Sequence, residues 1–244
     1  MDGLSGRVAL VTGGSGGIGR VIAARLAAEG AAVAVGYGRN AEPAQQAAAE
    51  VAAAGGRAVA VPADLRDPAA PGALAAAVEQ ALGPVDVLVS NAGLGRAQSL
   101  GEISSADFDE MIAVNLRAPF LLAQRLLPGM AERNFGRVLF ISSVAAFTGG
   151  IVGPHYAAAK AGLHGLTHFL AARLAPSGVT VNALAPALIA DTGMLPGEPG
   201  ELAGRVPVGR LGRPDEVAGL ALAMLGNAYL TNQVISLDGG IYPR

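Results

Sequence analysis

Tyr156 and Lys160 stand four residues apart at the end of the stretch that begins at Ser143. On one helix that spacing puts both side chains on the same face. An ammonium beside a phenol favours the phenolate. The pair therefore predicts a tyrosine pKa drawn down from about 10 towards the range in which a general acid or base works. Ser143 lies upstream of a Gly149-Gly150 break, where the chain can turn back and set its hydroxyl beside the phenol. There it would hydrogen-bond a substrate carbonyl while the tyrosine hands over a proton. Lys160 is also the only lysine among 17 basic residues; the rest are arginines. A lysine ammonium is compact and shifts its pKa readily, whereas arginine is a fixed planar fork. Keeping lysine at this one position marks it as a working group.

These residues need a frame. Residues 7–12 (RVALVT) read as a buried parallel strand, followed by the glycine-rich turn 13–19 (GGSGGIG). Ile18, Ile22 and Leu26 then recur at helical spacing up to Gly30. Strand, glycine turn and helix form a dinucleotide-binding opening, in which backbone N–H groups approach a pyrophosphate at the positive end of the helix. A second strand over 31–35 runs into Gly36-Tyr37-Gly38-Arg39-Asn40. Folds that select NAD place an acid near this point, on the adenosine ribose. No acid stands here, and Arg39 is positioned to pair with a 2′-phosphate. The expected cofactor is NADP(H), with NAD(H) as the alternative.

The alternation continues. Helices are expected over 42–54, 71–82, 104–133, 153–175 and 214–225, with strands over 57–61, 85–90, 136–142, 179–185 and 234–237. This predicts a single-domain α/β protein, residues 1–244: a Rossmann-type doubly wound parallel sheet of about seven strands with helices on both faces. Ligands in such sheets sit beyond the C-terminal strand ends, which is where Gly13, Asp64 and Asn91 fall. Ser105 is the expected cap of the 104–133 helix. Asn115, inside its apolar stripe, is either a core fixture or a site residue. Residues 187–213 are rich in glycine and proline without a sustained period, which predicts a mobile substrate lid.

Composition bounds the rest. A formal net charge of -2 with 15% charged residues gives no electrostatic case for nucleic acid. The absence of cysteine excludes disulfides and thiol nucleophiles and fits a reducing, cytoplasmic setting. With three histidines and no cysteine, no metal site is expected; His155, His164 and His168 read as packing or surface residues. The opening MDGLSGR has neither the basic nor the apolar region of a signal peptide. Residues 138–159 carry no formal charge over a length that could span a bilayer. Ser142, Ser143, Thr148, Gly149, Gly150, Gly153 and Pro154 interrupt that run, so a strand, turn and helix is the better reading, and no membrane contact is expected.

Thr12-Gly13 with Gly17-Ile18-Gly19, then Asn91-Ala92-Gly93, Asn115, Ser143, and Tyr156 with Lys160 occur in an order and spacing that resemble the short-chain dehydrogenase/reductase family over nearly the whole chain. Residues 206–217 and 234–240 are similar to its 3-oxoacyl-[acyl carrier protein] reductase group. The resemblance implies hydride transfer between NADP(H) and a ketone, with a 3-oxoacyl thioester as substrate. The alternative is a free ketone, sugar or alcohol as a small-molecule substrate. It implies Tyr156 as general acid, Lys160 holding the nicotinamide ribose and lowering the tyrosine pKa, Ser143 polarising the carbonyl, and Asn115 seating a water in a proton relay. Gly13, Ser15, Gly16, Gly17, Ile18 and Gly19 would form the pyrophosphate and adenosine turn, with Arg39 and Asn40 beside it. Asp64 and Leu65 would border the adenine, Asn91, Ala92 and Gly93 the ribose, and Pro186 and Ile189 the nicotinamide. A homotetramer is also implied.

Four departures stand out. Gly16 occupies a position that is often basic in NADPH-dependent members, and Ala187 replaces a glycine. The path to Thr192 is one residue longer than usual. Asn134 and Ser177 stand where carrier-gripping arginines are found, with Arg133 and Arg173 nearby.

Overall fold

A computed structural model describes residues 3–193, 195 and 197–242. The chain runs β1 (Val8–Thr12), α1 (Gly17–Ala28), β2 (Ala32–Tyr37), α2 (Ala41–Ala53), β3 (Ala58–Pro62), α3 (Ala70–Leu82) and β4 (Val87–Ser90). It continues through α4 (Ser105–Ile112), α5 (Ala118–Glu132), β5 (Gly136–Ile141), α6 (Ala145–Thr148) and α7 (Pro154–Leu174). β6 (Val179–Pro186), α8 (Pro199–Ala203), α9 (Pro214–Gly226) and β7 (Val234–Leu237) complete it. The seven strands form one parallel sheet in the order β3-β2-β1-β4-β5-β6-β7. The chain winds outward from β1 to β3, then restarts on the other side of β1 with β4. The crevice of such a sheet opens at that reversal, beyond the ends of β1 and β4.

Strand residues alternate between two cores. In β1, Val8 and Leu10 join Leu74, Leu122 and Leu163 from α3, α5 and α7. Ala9 and Val11 face the other way, onto Ile22, Leu26 and Leu222 from α1 and α9. Because both faces are covered, the central strands are apolar throughout rather than alternating. Burying a leucine or valine side chain is worth roughly 1.5–3 kcal/mol, so the strand ends are fixed by a large, two-sided apolar filling.

The predicted helix over 104–133 divides. Ser104, not Ser105, is its cap: its hydroxyl accepts from Asp107 N at 3.1 Å, and the Asp107 carboxylate accepts from Ser104 N at 3.2 Å. This reciprocal pair fills the first orphan N–H positions. The helix then widens into a π turn over Ala113–Arg117 before α5 begins. That turn carries Asn115. Within 187–213, of which Met194 and Pro196 lie outside the described residues, the chain forms α8, and Ile189 bridges to Gly212. Among the described residues no helix is long and apolar enough to cross a membrane.

Candidate active site

The glycine turn is built by exclusion. Gly13 has a positive φ of 62°, and a Cβ there would meet Ala92 Cα at 2.8 Å. A Cβ on Gly19 would collide with Gly13 O and sit 2.5 Å from Asn91 Nδ2. Only glycine lets the turn, α1 and the end of β4 come this close. Thr12 locks the arrangement: its hydroxyl accepts from Asn91 N and Ala92 N, each at 3.0 Å. Asn91 Nδ2 returns to Thr12 O at 3.0 Å and Gly13 O at 3.1 Å. α1 opens on Gly17 with no side chain capping it and no acid in its first turn. Its free N–H groups and dipole suit an anion. Gly16 has room, since a Cβ there meets nothing nearer than Gly13 O at 3.8 Å.

β5 ends at Ile141 and delivers Ser142 and Ser143 beside α7. The Ser143 hydroxyl hydrogen-bonds the Tyr156 phenol. Lys160, one turn along α7, is 3% exposed. Its Nζ donates to Ile141 O at 2.8 Å and lies 5.7 Å from the Tyr156 ring centroid. The expected lowering of the tyrosine pKa is not what this arrangement produces. Burial pushes the Tyr156 phenol up, and the Ser143 hydrogen bond offsets part of that rise. Burial also brings Lys160 down to about 8. The ammonium is directed at a backbone carbonyl rather than at the phenolic oxygen, and desolvation outweighs it.

Asn115 is fully buried and satisfied. Its Nδ2 donates to Leu94 O and Met111 O, each at 3.1 Å, and its Oδ1 accepts from Leu94 N at 3.3 Å. It pins the segment after β4 to the π turn. A Cβ on Gly93 would come 2.9 Å from Asn115 Oδ1 and 3.5 Å from Lys160 Nζ, so Gly93 sits close to both side chains. α7 is pressed against the same turn, because a Cβ on Gly162 would meet Leu116 Cδ2 at 2.7 Å.

Two cavities meet at Gly93. One, of about 350 Å³, is lined by Gly13, Ser15, Arg39, Asn40, Asp64, Leu65, Ala92 and Arg66 among others. Asp64 accepts from Arg66 Nε at 2.8 Å and from Arg66 Nη2 at 2.5 Å, and this guanidinium holds its carboxyl at about 2. The second, of about 400 Å³, is lined by Ile18, Asn91, Ser143, Tyr156, Lys160, Pro186 and Ile189. Thr192 lies on its wall and donates to Ile189 O at 3.1 Å. A Cβ on Gly17 would meet Asp191 O at 2.7 Å, so this segment rests on the start of α1. Asp191, just before Thr192, takes a φ of 57°.

The two cavities, which share Gly93, thus gather most of the predicted residues; Gly16, Gly17 and Gly19 line neither, and Asn115 lies behind them. Residues 7–199 match a model of the family described as short chain dehydrogenase. The chain belongs to the short-chain dehydrogenase/reductase family. It is 40% identical to nodulation protein G of Azospirillum brasilense over 98% of this chain and 99% of that protein. It is 38% identical to a 3-oxoacyl-[acyl-carrier-protein] reductase of Synechocystis over 99% of each chain. A blue fluorescent protein from a metagenomic library, solved in complex with NADPH, superposes with a TM-score of 0.92 at 39% identity, covering 98% and 99% of the two chains.

As a short-chain dehydrogenase/reductase the protein is an oxidoreductase. Some residues of its cleft carry no isolated signal. Thr12 reads as the last residue of a strand, and its role as the lock between β1 and β4 depends on strands 75 residues apart in sequence. Arg66 is visible only as a basic residue two places after Asp64. Arg133 is not at the cleft: its guanidinium donates to Val85 O at 2.7 Å, at the opposite end of the sheet. Arg173 stacks on Phe169, four turns of α7 beyond Tyr156.

Proposed function

We propose that the protein is an NADP(H)-dependent reductase that converts a ketone, in the form of a 3-oxoacyl thioester, to the secondary alcohol. The observation that carries this reading is half-buried Ser143 with buried Tyr156 and Lys160 at the wall of an apolar cavity that adjoins the glycine turn's cavity at Gly93. The bound nicotinamide would supply the hydride, and the chain supplies position and a proton. Ser143 would hold the carbonyl oxygen. Tyr156, kept protonated by burial across the neutral range, would give its proton to that oxygen as charge develops there. Lys160 has one N–H on Ile141 O and two further protons for ribose hydroxyls. Its own lowered pKa suits it to return a proton to Tyr156.

Preference for NADP(H) is supported by Arg39 and Asn40 at the adenosine cavity and by the lack of an acid at the end of β2. The glycine cradle and the uncapped start of α1 suit the pyrophosphate. Residues 187–213 would close over substrate as a lid hinged near the Ile189–Gly212 bridge. A homotetramer is part of the same proposal, by similarity to the family. The positions of Arg133 and Arg173, away from the cleft, favour a thioester recognised without a basic grip on an acidic carrier at those residues.

The test is absorbance of reduced nicotinamide with acetoacetyl-CoA as substrate. Oxidation of NADPH at least tenfold faster than NADH, at equal concentrations, is expected. Protein that binds NADPH yet oxidises neither cofactor with any 3-oxoacyl thioester would overturn the substrate assignment.

A further inference from the structure

The substrate cavity has an unusual charge inventory. Among the described residues its wall includes Lys160 and Arg205 as cations and no aspartate or glutamate at all. The remainder is largely apolar, with Val144, Ile151, Val152, Leu188, Leu195 and Ile241. Lys160 is buried, with an N–H on Ile141 O, beside Tyr156. Arg205 is exposed, and its guanidinium makes no hydrogen bond or ion pair among the described residues. The acids of its own segment, Asp191, Glu198 and Glu201, form no ion pair with it. Most arginines of this chain near an acid do pair: Arg20 with Glu50, Arg25 with Asp215, Arg66 with Asp64, and Arg210 with Glu216.

Its backbone is held in place. Arg205 N donates to Leu202 O and Val206 N donates to Ala203 O, each at 3.1 Å. Leu202 and Val206, on either side, are both buried. A Cβ on Gly239 would meet Val206 Cγ1 at 2.6 Å, so the segment is seated against the turn after β7. Arg205 therefore lines the cavity from a backbone held in place, with its side chain exposed, in a protein whose net charge is negative. An unpaired, solvent-exposed cation at the edge of an apolar cavity with no carboxylate on its wall creates a local positive potential that favours anions.

We propose that Arg205 is a specificity-determining residue that binds an anionic group of the substrate. That group is carried beyond an apolar spacer from the ketone that meets Ser143 and Tyr156. The chemistry is that of a phosphate or a carboxylate, both of which the planar guanidinium fork can bind through two parallel hydrogen bonds. The proposal rests on the reductase reading above. It adds that a keto compound without such an anion is the poorer substrate, and that the discrimination lies in residue 205.

Two matched pairs of substrates test it, each used with wild type, Arg205→Gln and Arg205→Lys. Acetoacetyl-CoA against the acetoacetyl thioester of N-acetylcysteamine removes the phosphates; 5-oxohexanoate against its methyl ester removes a carboxylate. Arg205→Gln should lower kcat/KM at least roughly tenfold for the anionic member of one pair and leave its neutral partner within about twofold. Arg205→Lys, which keeps the charge, should retain most of the preference. Loss confined to the first pair identifies a phosphate, and loss confined to the second a carboxylate. Calorimetric binding of the same compounds to the NADPH complex gives the same comparison without turnover. Failure of the reductase reading therefore shows as absent turnover, and failure of this inference shows as charge-blind binding. Equal losses on charged and neutral partners, no loss on any of them, or a weakened affinity for NADPH itself would overturn the assignment.

Discussion

At the adenosine end of the cleft the charged groups are mostly spoken for; in the substrate cavity they are not. Arg66 is held by Asp64 and reaches towards Glu110 at 3.6 Å, so the rim near Arg39 is a preassembled polar frame. The substrate cavity is apolar, with one buried ammonium at Tyr156 and one unpaired guanidinium on its wall. The difference follows from what each end receives. A cofactor of constant shape can be met by a rigid arrangement whose charges already balance. A substrate that must arrive, react and leave is better served by apolar walls and a few undischarged groups, because those give selectivity without a fully formed polar cage.

The sharpest way to separate the two ends is Tyr156→Phe. Loss of the proton donor should lower kcat by about 10²–10⁴-fold while NADPH binding, read by fluorescence titration, changes less than twofold. A comparable loss in cofactor affinity would join the two ends that the geometry separates. Lys160→Met tests the burial of the ammonium through stability. The folded-state pKa of about 8 lies below the ordinary lysine value of 10.5. Between these values the unfolded chain binds more protons, so wild-type stability rises with pH across that window, by on the order of 3 kcal/mol. The methionine variant lacks this titration. It should be more stable than wild type at pH 7, and the advantage should shrink as pH rises from about 8 to 10.5 in urea melts. Parallel stability curves would remove the assigned cost of burial.

Two smaller effects belong to the adenosine end. Arg39→Ala should reduce the NADPH-over-NADH preference in kcat/KM by roughly tenfold, the scale of one charge-assisted contact. Parity between wild type and variant would leave the preference to other residues. Gly16→Arg should strengthen NADPH binding a few-fold without lowering the melting temperature, since the position is open to a side chain. Both substitutions should leave the discrimination between charged and neutral substrates where it was.

Much of this was legible in the sequence, for identifiable reasons. The alternation of 3.6-residue and apolar strand patterns gives the doubly wound sheet, and glycine spacing gives the cofactor turn. Both are local signals. The π turn at Asn115 was not legible, because five residues of wide helix look like any other helical stretch. Nor was the tyrosine pKa. Helical spacing places Lys160 near Tyr156 but cannot say that its ammonium turns to Ile141 O and that burial prevails. The arrangement of the described part of 187–213 depends on contacts of Ile189 with Gly212 and of Val206 with the Gly239 turn, which no single-residue pattern encodes. Arg205 is one of sixteen arginines until its surroundings are known.

The burial of the single lysine has a consequence for labelling chemistry. A typical protein presents many surface amines to acylating reagents. Here the only side-chain primary amine lies in the cleft, and its pKa near 8 leaves a substantial neutral, nucleophilic fraction under mildly alkaline conditions. Side-chain amine modification of this chain is therefore a site-specific reaction by default. Its rate reports how open the cleft is, and any ligand that covers Lys160 registers as protection without a designed probe.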